Sequence, residues 1–378
     1  MDRFAEKLRK LAVGRRRLLH SYRGQDRRVL GVVSAASFPI CTVLRLVARY
    51  RQSHLTSLPR EHVTDNGPHC GVSVGINEAS GDTDSPAPPK TDARFSLQGR
   101  DTPVHRWIHA HDRQQFRSDG FMVIRNVISP SLIANAAREI AAFVGGDLTD
   151  STTWYGGPMG RDGIVPMHHS QSQWDIRQSP SLYQVFTEFF GTPQLMVDIN
   201  RCIVRPPIHP RFPKISHGTI HWDTDPRGPR PPSVQGVVLL SDVGCDGGGF
   251  QCLPDVFQNL DAWLNRYARR DDFDFFYPGL NYWKTTQVEG KAGDVILWST
   301  RLPHGSATNL SNRPRLATFV SMQPCGDNAQ LRESMKNWWL TKRAPDYWRG
   351  LPGQLDPEPG APAVLSDLGL KLIGVSSW

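Results

Sequence analysis

The sequence has little that would tie it to a membrane or to an oxidising compartment. Its long uncharged stretch, Val29–Leu44, contains Pro39 and ends at Arg45, short of the roughly 20 apolar residues a spanning helix needs. No transmembrane span is expected. The N-terminus lacks the apolar core and small-residue cleavage site of a secretory signal. Six cysteines (Cys41, Cys70, Cys202, Cys245, Cys252 and Cys325) are scattered without a CxxC pair, so a reduced intracellular compartment, the cytoplasm, is expected. Internal repeats are lacking too, which excludes a solenoid.

A basic body is also absent, although the net charge is +8. Residues 1–60 hold 14 Lys/Arg against Asp2, Glu6 and Asp26, a net of +11, so the remaining residues carry −3. An acidic polymer would meet only the N-terminal extension, and no nucleic-acid partner is expected. Within that extension, residues 3–28 place Phe4, Leu8, Leu11, Leu18 and Leu19 at near-helical spacing among arginines. A mitochondrial transit peptide, a membrane-surface helix and a disordered basic extension all fit this pattern.

What is present describes an ordinary globular body: 39% hydrophobic and 21% charged residues, with 30 prolines and 33 glycines that imply many turns and short strands. Four regions follow: a basic extension at 1–60, a Pro/Ser/Gly/Asp-rich linker at 61–105, a folded domain at 106–330 and a C-terminal wrapping segment at 331–378. A helix is expected over 106–120, then a strand over Phe121–Val127, then a helix capped by Ser129 and Pro130 and running to Val144. Further helices are expected at 180–190 and 255–269. Strands are expected at Leu195–Ile199, Cys202–Val204, Val234–Leu240, Val295–Trp298 and Leu316–Met322. Many short strands with long connections predict a mainly β fold with flanking helices, a double-stranded β-helix or jelly roll.

The densest chemical signal is His221-Trp222-Asp223, followed by His304 in GDVILWSTRLPHGS. In an extended segment residues i and i+2 point to one side, so His221 and Asp223 can offer an imidazole and a carboxylate to one metal. His304, from a distant strand, would complete a facial triad. Two histidines and a carboxylate with open positions suit non-haem Fe(II) oxygen chemistry, because sites remain for co-substrate and O2. Arg315, which begins RLATFV, could clamp a carboxylate bidentately.

The sequence resembles the phytanoyl-CoA dioxygenase family of Fe(II)/2-oxoglutarate oxygenases over roughly residues 115–325. The resemblance rests on DGFMVIRNVIS at 119–129, HWD at 221–223, VVLLSDVGCDGGGFQCLPD at 237–255 and GDVILWSTRLPHGSATNLSNRPR at 293–315. It implies Fe(II) as cofactor, 2-oxoglutarate and O2 as co-substrates, and His221, Asp223 and His304 as iron ligands. It further implies Arg315 as the partner of the distal 2-oxoglutarate carboxylate, with Ser306 and Arg201 lining that co-substrate. Arg313 rivals Arg315, but the spacing and the strand that follows favour Arg315. Related halogenases have a small residue where Asp223 stands, so oxygenation is implied rather than halogenation.

In MHHSQSQWDIRQSP at 167–180, His168, His169, Trp174 and Arg177 are candidate substrate contacts or packing residues. Adjacent strand residues point oppositely, which argues against a second metal at His168-His169. Gln235 faces either into the pocket or away from it. Cys245 and Cys252 read as turn and core cysteines, and Trp298, Trp338, Trp339, Tyr347 and Trp348 as core or lid. The expected function is hydroxylation, or another C–H oxidation, of a small organic molecule, plausible in specialised metabolism. Demethylation, desaturation and ring rearrangement share the same chemistry. Alternatives are an acyl-CoA 2-hydroxylase, a protein- or nucleic-acid-modifying oxygenase, and a binding module that has lost catalysis.

Overall fold

Short apolar runs pair into three antiparallel sheets in a computed structural model, which describes residues 105–157, 159, 163–212, 218–228, 233–269, 273–343 and 362–378. The readings of residues 1–104, and of Tyr347 and Trp348, fall outside the described residues.

The first helix, α1 (Ala110–Asp119), starts later than the sequence suggests, because the Asp112 carboxylate accepts from the His109 N–H at 2.8 Å and fixes the entry there. Gly120, at φ 80°, ends it. Strand β1 (Phe121–Ile124) stops short of Val127 because Asn126 takes φ 53° and its N–H turns to the Asp294 carboxylate. Helix α2 (Pro130–Val144) then runs from Ser129 to Gly145. After the two-residue β2 (Ile164–Val165) come α3 (Gln171–Arg177) and α4 (Pro180–Phe190). Next follow β3 (Leu195–Val197), β4 (Cys202–Arg205), β5 (Val234–Leu239) and β6 (Phe250–Cys252). The expected helix at 255–269 is two, α5 (Pro254–Gln258) and α6 (Leu260–Tyr267). The remainder comprises β7 (Thr286–Val288), β8 (Val295–Ser299), β9 (His304–Ser306), β10 (Arg315–Val320), β11 (Met322–Pro324), α7 (Ala329–Thr341) and α8 (Asp367–Leu372).

The major sheet has the order β1-β8-β5-β10-β4-β2 and the minor one β7-β6-β9, while β11 and β3 form a separate pair. The long Leu316–Met322 run is thus broken at Ser321, on whose two sides the chain serves different sheets. Because side chains alternate, each strand of the major sheet feeds two cores. On β5, Val238 joins a large cluster with α2, α3 and α4, whereas Val237 and Leu239 join Phe250, Cys252 and Val288 of the minor sheet. Two antiparallel sheets facing each other across one core, with helices on the outer side, make a double-stranded β-helix, the jelly roll.

The GD that opens β8 has a mechanical reason. Gly293 lies at φ 98°, where a Cβ would come within 2.8 Å of the Ile128 carbonyl oxygen. Buried Asp294 gathers the Asn126 and Lys291 N–H groups and the Arg125 guanidinium at 2.7–2.9 Å. At the C-terminal side, Met335 and Trp338 of α7, and Leu372 and Ile373 at the end of α8, enter the helix-side core.

Candidate metal and co-substrate site

The segment carrying His221 is held in extended form by an exchange of backbone hydrogen bonds with His304, 2.9 Å one way and 3.0 Å the other. Residues exchanging both bonds stand directly opposite, which sets the two imidazoles side by side with ring centroids 5.0 Å apart. The close approach uses Gly305, where a Cβ would run into the Thr219 carbonyl. His304 therefore opens β9, with Gly305 inside the strand.

Trp222 points the other way. It is fully buried against Trp263 and Phe273, and its indole N–H donates to the Arg301 carbonyl at 2.9 Å. This anchor leaves His221 and Asp223 together on the opposite side. Ligand atoms of His221, Asp223 and His304 all lie within 4.8 Å of one another. Asp223 Oδ1 is 3.5 Å from His221 Nε2, and Oδ2 is 3.4 Å from His304 Nε2. Each histidine Nδ1 sits 2.9–3.0 Å from a backbone carbonyl, Thr219 for one and Leu302 for the other. A carbonyl only accepts, so Nδ1 carries the proton and the Nε2 lone pair faces the cluster. Burial opposes the Asp223 charge, but when the metal-free histidines are also protonated at Nε2 their hydrogen bonds and positive charge outweigh it and hold the carboxyl well below the usual carboxylate range. Side-chain exposure is 23% at His221 and 31% at Asp223 but 7% at His304, so the cluster is approached from the His221–Asp223 side.

Two residues along β9, Ser306 accepts from Arg315 Nη1 at 3.1 Å, and the same nitrogen donates to the Gly248 carbonyl. Arg315 is 3% exposed, and its Nε has no hydrogen-bond partner among the described residues. Burial, with the nearby Arg205 charge, pushes its pKa down to about 9. A buried guanidinium with an idle donor and a like charge beside it is suited to receive an anion. Strand rise separates His304 from Ser306 by roughly 6.5 Å, a span suited to a short dicarboxylate with one end at the cluster and the other at Arg315. The residues present thus fit a divalent metal together with 2-oxoglutarate.

Arg313 is exposed at the turn, its carbonyl held by the buried Asn309 amide, which separates it from Arg315. Arg201 is half-buried just before β4, and its carbonyl accepts from the Phe319 N–H at 3.0 Å. Arg205, which sequence reasoning passed over, is the direct cross-strand partner of Arg315 and is 1% exposed. Its signal was the strand register, which sequence does not display. Gln235 does face the cluster, donating from Nε2 to Asp223 Oδ2 at 2.7 Å.

Of the two readings of residues 167–180, packing holds for His168, Trp174 and Arg177. Residues 171–177 form α3, and His168, Trp174 and Arg177 are buried in the helix-side core, behind the major sheet rather than beside the triad. The Arg177 guanidinium lies 5.2 Å from the ring centres of both Trp174 and Trp338, and His168 Nδ1 accepts from Trp338 Nε1 at 2.8 Å. Half-buried His169 stands beside His168, ring centroids 5.2 Å apart. A surface depression lined by Asn135, Arg138, Glu139 and Ser172 also lies on the helix side and includes no triad residue. Cys245 is exposed and Cys252 buried. Among the described residues, no helix is long and apolar enough to cross a membrane.

Comparison with known proteins agrees with this geometry. The phytanoyl-CoA dioxygenase family model matches residues 116–317, more than half of the chain. A Dictyostelium discoideum protein bearing the phytanoyl-CoA dioxygenase name is 25% identical over 265 residues, covering 55% of this chain and 74% of its own. The Aspergillus versicolor Ava biosynthesis cluster protein O is 22% identical over 244 residues, covering 56% of this chain and 77% of its own. Among solved structures, the Candida albicans GlcNAc inducible gene 2 protein shares the fold with a TM-score of 0.53, at 15% identity over 70% of this chain and 76% of that one. With two facing sheets, a His-Asp-His cluster between them and this family match, the chain belongs to the phytanoyl-CoA dioxygenase family, and is an Fe(II)- and 2-oxoglutarate-dependent non-haem dioxygenase.

Proposed function

We propose that His221, Asp223 and His304 hold the iron, that Arg315 and Ser306 receive the distal carboxylate of 2-oxoglutarate with Arg201 lining the same co-substrate, and that the reaction hydroxylates or otherwise oxidises a C–H bond of a small organic molecule in specialised metabolism. The observation that carries the site assignment is the convergence of three ligand atoms within 4.8 Å, with the Nδ1 protons of both histidines already committed to backbone carbonyls. When bound, the metal supplies activation of O2, with 2-oxoglutarate decarboxylated to succinate and CO2. The chain's own residues present two neutral imidazoles and one carboxylate, neutralise the distal carboxylate with a buried guanidinium, and keep the inner side dry through Phe250, Ile296 and Trp298.

Approach to the triad is from the His221–Asp223 side, where side-chain exposure is only 23% and 31%, while His304 is at 7%, a largely enclosed site that suits a small organic substrate. The relative from a fungal biosynthesis cluster supports the metabolic setting.

The test is release of succinate and CO2 from 2-oxoglutarate by anaerobically iron-loaded protein on exposure to O2, with and without mixtures of small organic candidates. Iron-dependent release, stimulated by a candidate and absent in Asp223→Ala, is the expected result. Stimulation by a protein or oligonucleotide in place of every small molecule would overturn the substrate class.

A further inference from the structure

The three proposed ligands are not held alike. Each histidine is steadied within its own segment, by a carbonyl two residues before it and by the backbone bridge between the two. Asp223 lies in a bend after that bridge, outside any strand, and a hydrogen bond that orients its carboxylate comes from across the jelly roll. Gln235, on β5 of the major sheet, donates from Nε2 to Asp223 Oδ2 at 2.7 Å. Its Oε1 accepts from the Trp298 indole N–H at 3.1 Å.

The orientation of this amide follows from its neighbours. An indole nitrogen can only donate and an ionised carboxylate can only accept, so Oε1 must face Trp298 and Nε2 must face Asp223. The reverse orientation would set a carbonyl oxygen against a carboxylate and an NH2 against an N–H. Gln235 and Trp298 are direct cross-strand partners on β5 and β8, which places both side chains on the same face. Trp298 is itself immobilised: it is 2% exposed, with Phe250 and His304 ring centroids 4.7 and 5.1 Å away. A rigid tryptophan thus fixes an amide, and the amide fixes a carboxylate.

We propose that Gln235, oriented by Trp298, is a positioning residue that engages Asp223 through Oδ2 and presents the carboxylate to the metal as a single-oxygen donor through Oδ1. This rests on the reading of Asp223 as a metal ligand. A carboxylate free to rotate could offer both oxygens, and the second would occupy a position that 2-oxoglutarate or O2 requires. Outer hydrogen bonds of this kind set ligand orientation, and removing one lowers metal affinity by roughly 10- to 100-fold.

The test uses the full chain. Gln235→Met preserves side-chain length and removes the donor, and Trp298→Phe removes the N–H that orients the amide. Ni(II) affinity is measured by titration calorimetry, and the carboxylate's binding mode is read from the d–d absorption of the Co(II)-loaded protein. Circular dichroism and thermal unfolding check the fold. Expected for Gln235→Met is a loss of Ni(II) affinity of roughly 10- to 100-fold, with a changed Co(II) spectrum and a retained fold. Trp298→Phe should lose less, and the double variant should be no weaker than Gln235→Met, because the two residues act through one contact. If Trp298→Phe fails to fold, Gln235→Met decides alone. Wild-type Ni(II) affinity and an unchanged Co(II) spectrum in Gln235→Met, beside lost binding in Asp223→Ala, would overturn the positioning role and leave the triad standing. Wild-type affinity in Asp223→Ala as well would overturn both.

Discussion

The two faces of the major sheet are built from the same strands and differ in almost everything else. Towards the helices, Met122, Val204, Val238, Leu297 and Leu316 pack against Ile140, Trp174, Val185 and Phe186 in a large apolar core. Its buried polar groups, such as Gln173, Arg177 and His168, are tied to backbone carbonyls or aromatic rings. Towards the minor sheet, the same strands present Arg205, Arg315 and Gln235 alongside apolar Val237 and Ile296. There the polar atoms converge on a triad and on an arginine with an idle donor. One face spends its burial on stability and the other on a charge-bearing site, and strand alternation keeps the two apart.

If that division holds, substitutions on the two faces should separate stability from ligand binding. Asp223→Ala should give the largest effect, loss of metal retention and of 2-oxoglutarate turnover while the metal-free protein still unfolds cooperatively, as checked by metal analysis and denaturant titration. Next comes Trp174→Ala on the helix face. It should cost about 3–5 kcal/mol of stability while the surviving folded protein binds Ni(II) as tightly as wild type. Arg315→Met should raise the 2-oxoglutarate requirement by about 1.5–3 kcal/mol, roughly 10- to 100-fold in KM, with metal affinity retained.

The smallest effect is one of pH. Burial first, then the His169, Arg177 and Arg201 charges, push the His168 pKa down to about 3. A depressed folded-state pKa means that the unfolded chain binds the proton first, so stability is fully present above about 6.5 and is lost as pH falls towards 3. The loss attributable to His168 between pH 7 and pH 5.5 should be on the order of 1 kcal/mol. His168→Gln should flatten that slope in urea titrations at the two pH values. An unchanged slope would mean that His168 is not the group responsible.

Much of this site was legible in the sequence because its chemistry is local. An HxD needs only an extended segment to put an imidazole and a carboxylate on one side, and His304 and Arg315 follow in order at the starts of β9 and β10, after the Gly-Asp-initiated β8. The jelly roll was legible from the spacing of β-prone runs. Less visible was α3, since Ser172 and Gln173 are polar yet buried, donating to the Glu139 carboxylate and the Met167 carbonyl, and so break the apolar periodicity that announces a helix. The three-residue strands β6, β7 and β9 are too short to show a period at all. Arg205, and the link from Trp298 through Gln235 to Asp223, depend on cross-strand register, a long-range property that no local pattern carries.

The most direct test of the account is an anaerobic titration of the protein with Fe(II) and 2-oxoglutarate, following the visible charge-transfer absorption that appears when an α-keto acid chelates ferrous iron. The account predicts a band that needs both components, is absent in Asp223→Ala, and in Arg315→Met appears only at roughly 10- to 100-fold more 2-oxoglutarate. A band of full strength in Asp223→Ala, or one indifferent to Arg315, would contradict the claim that these residues form a single metal and dicarboxylate site between the two sheets.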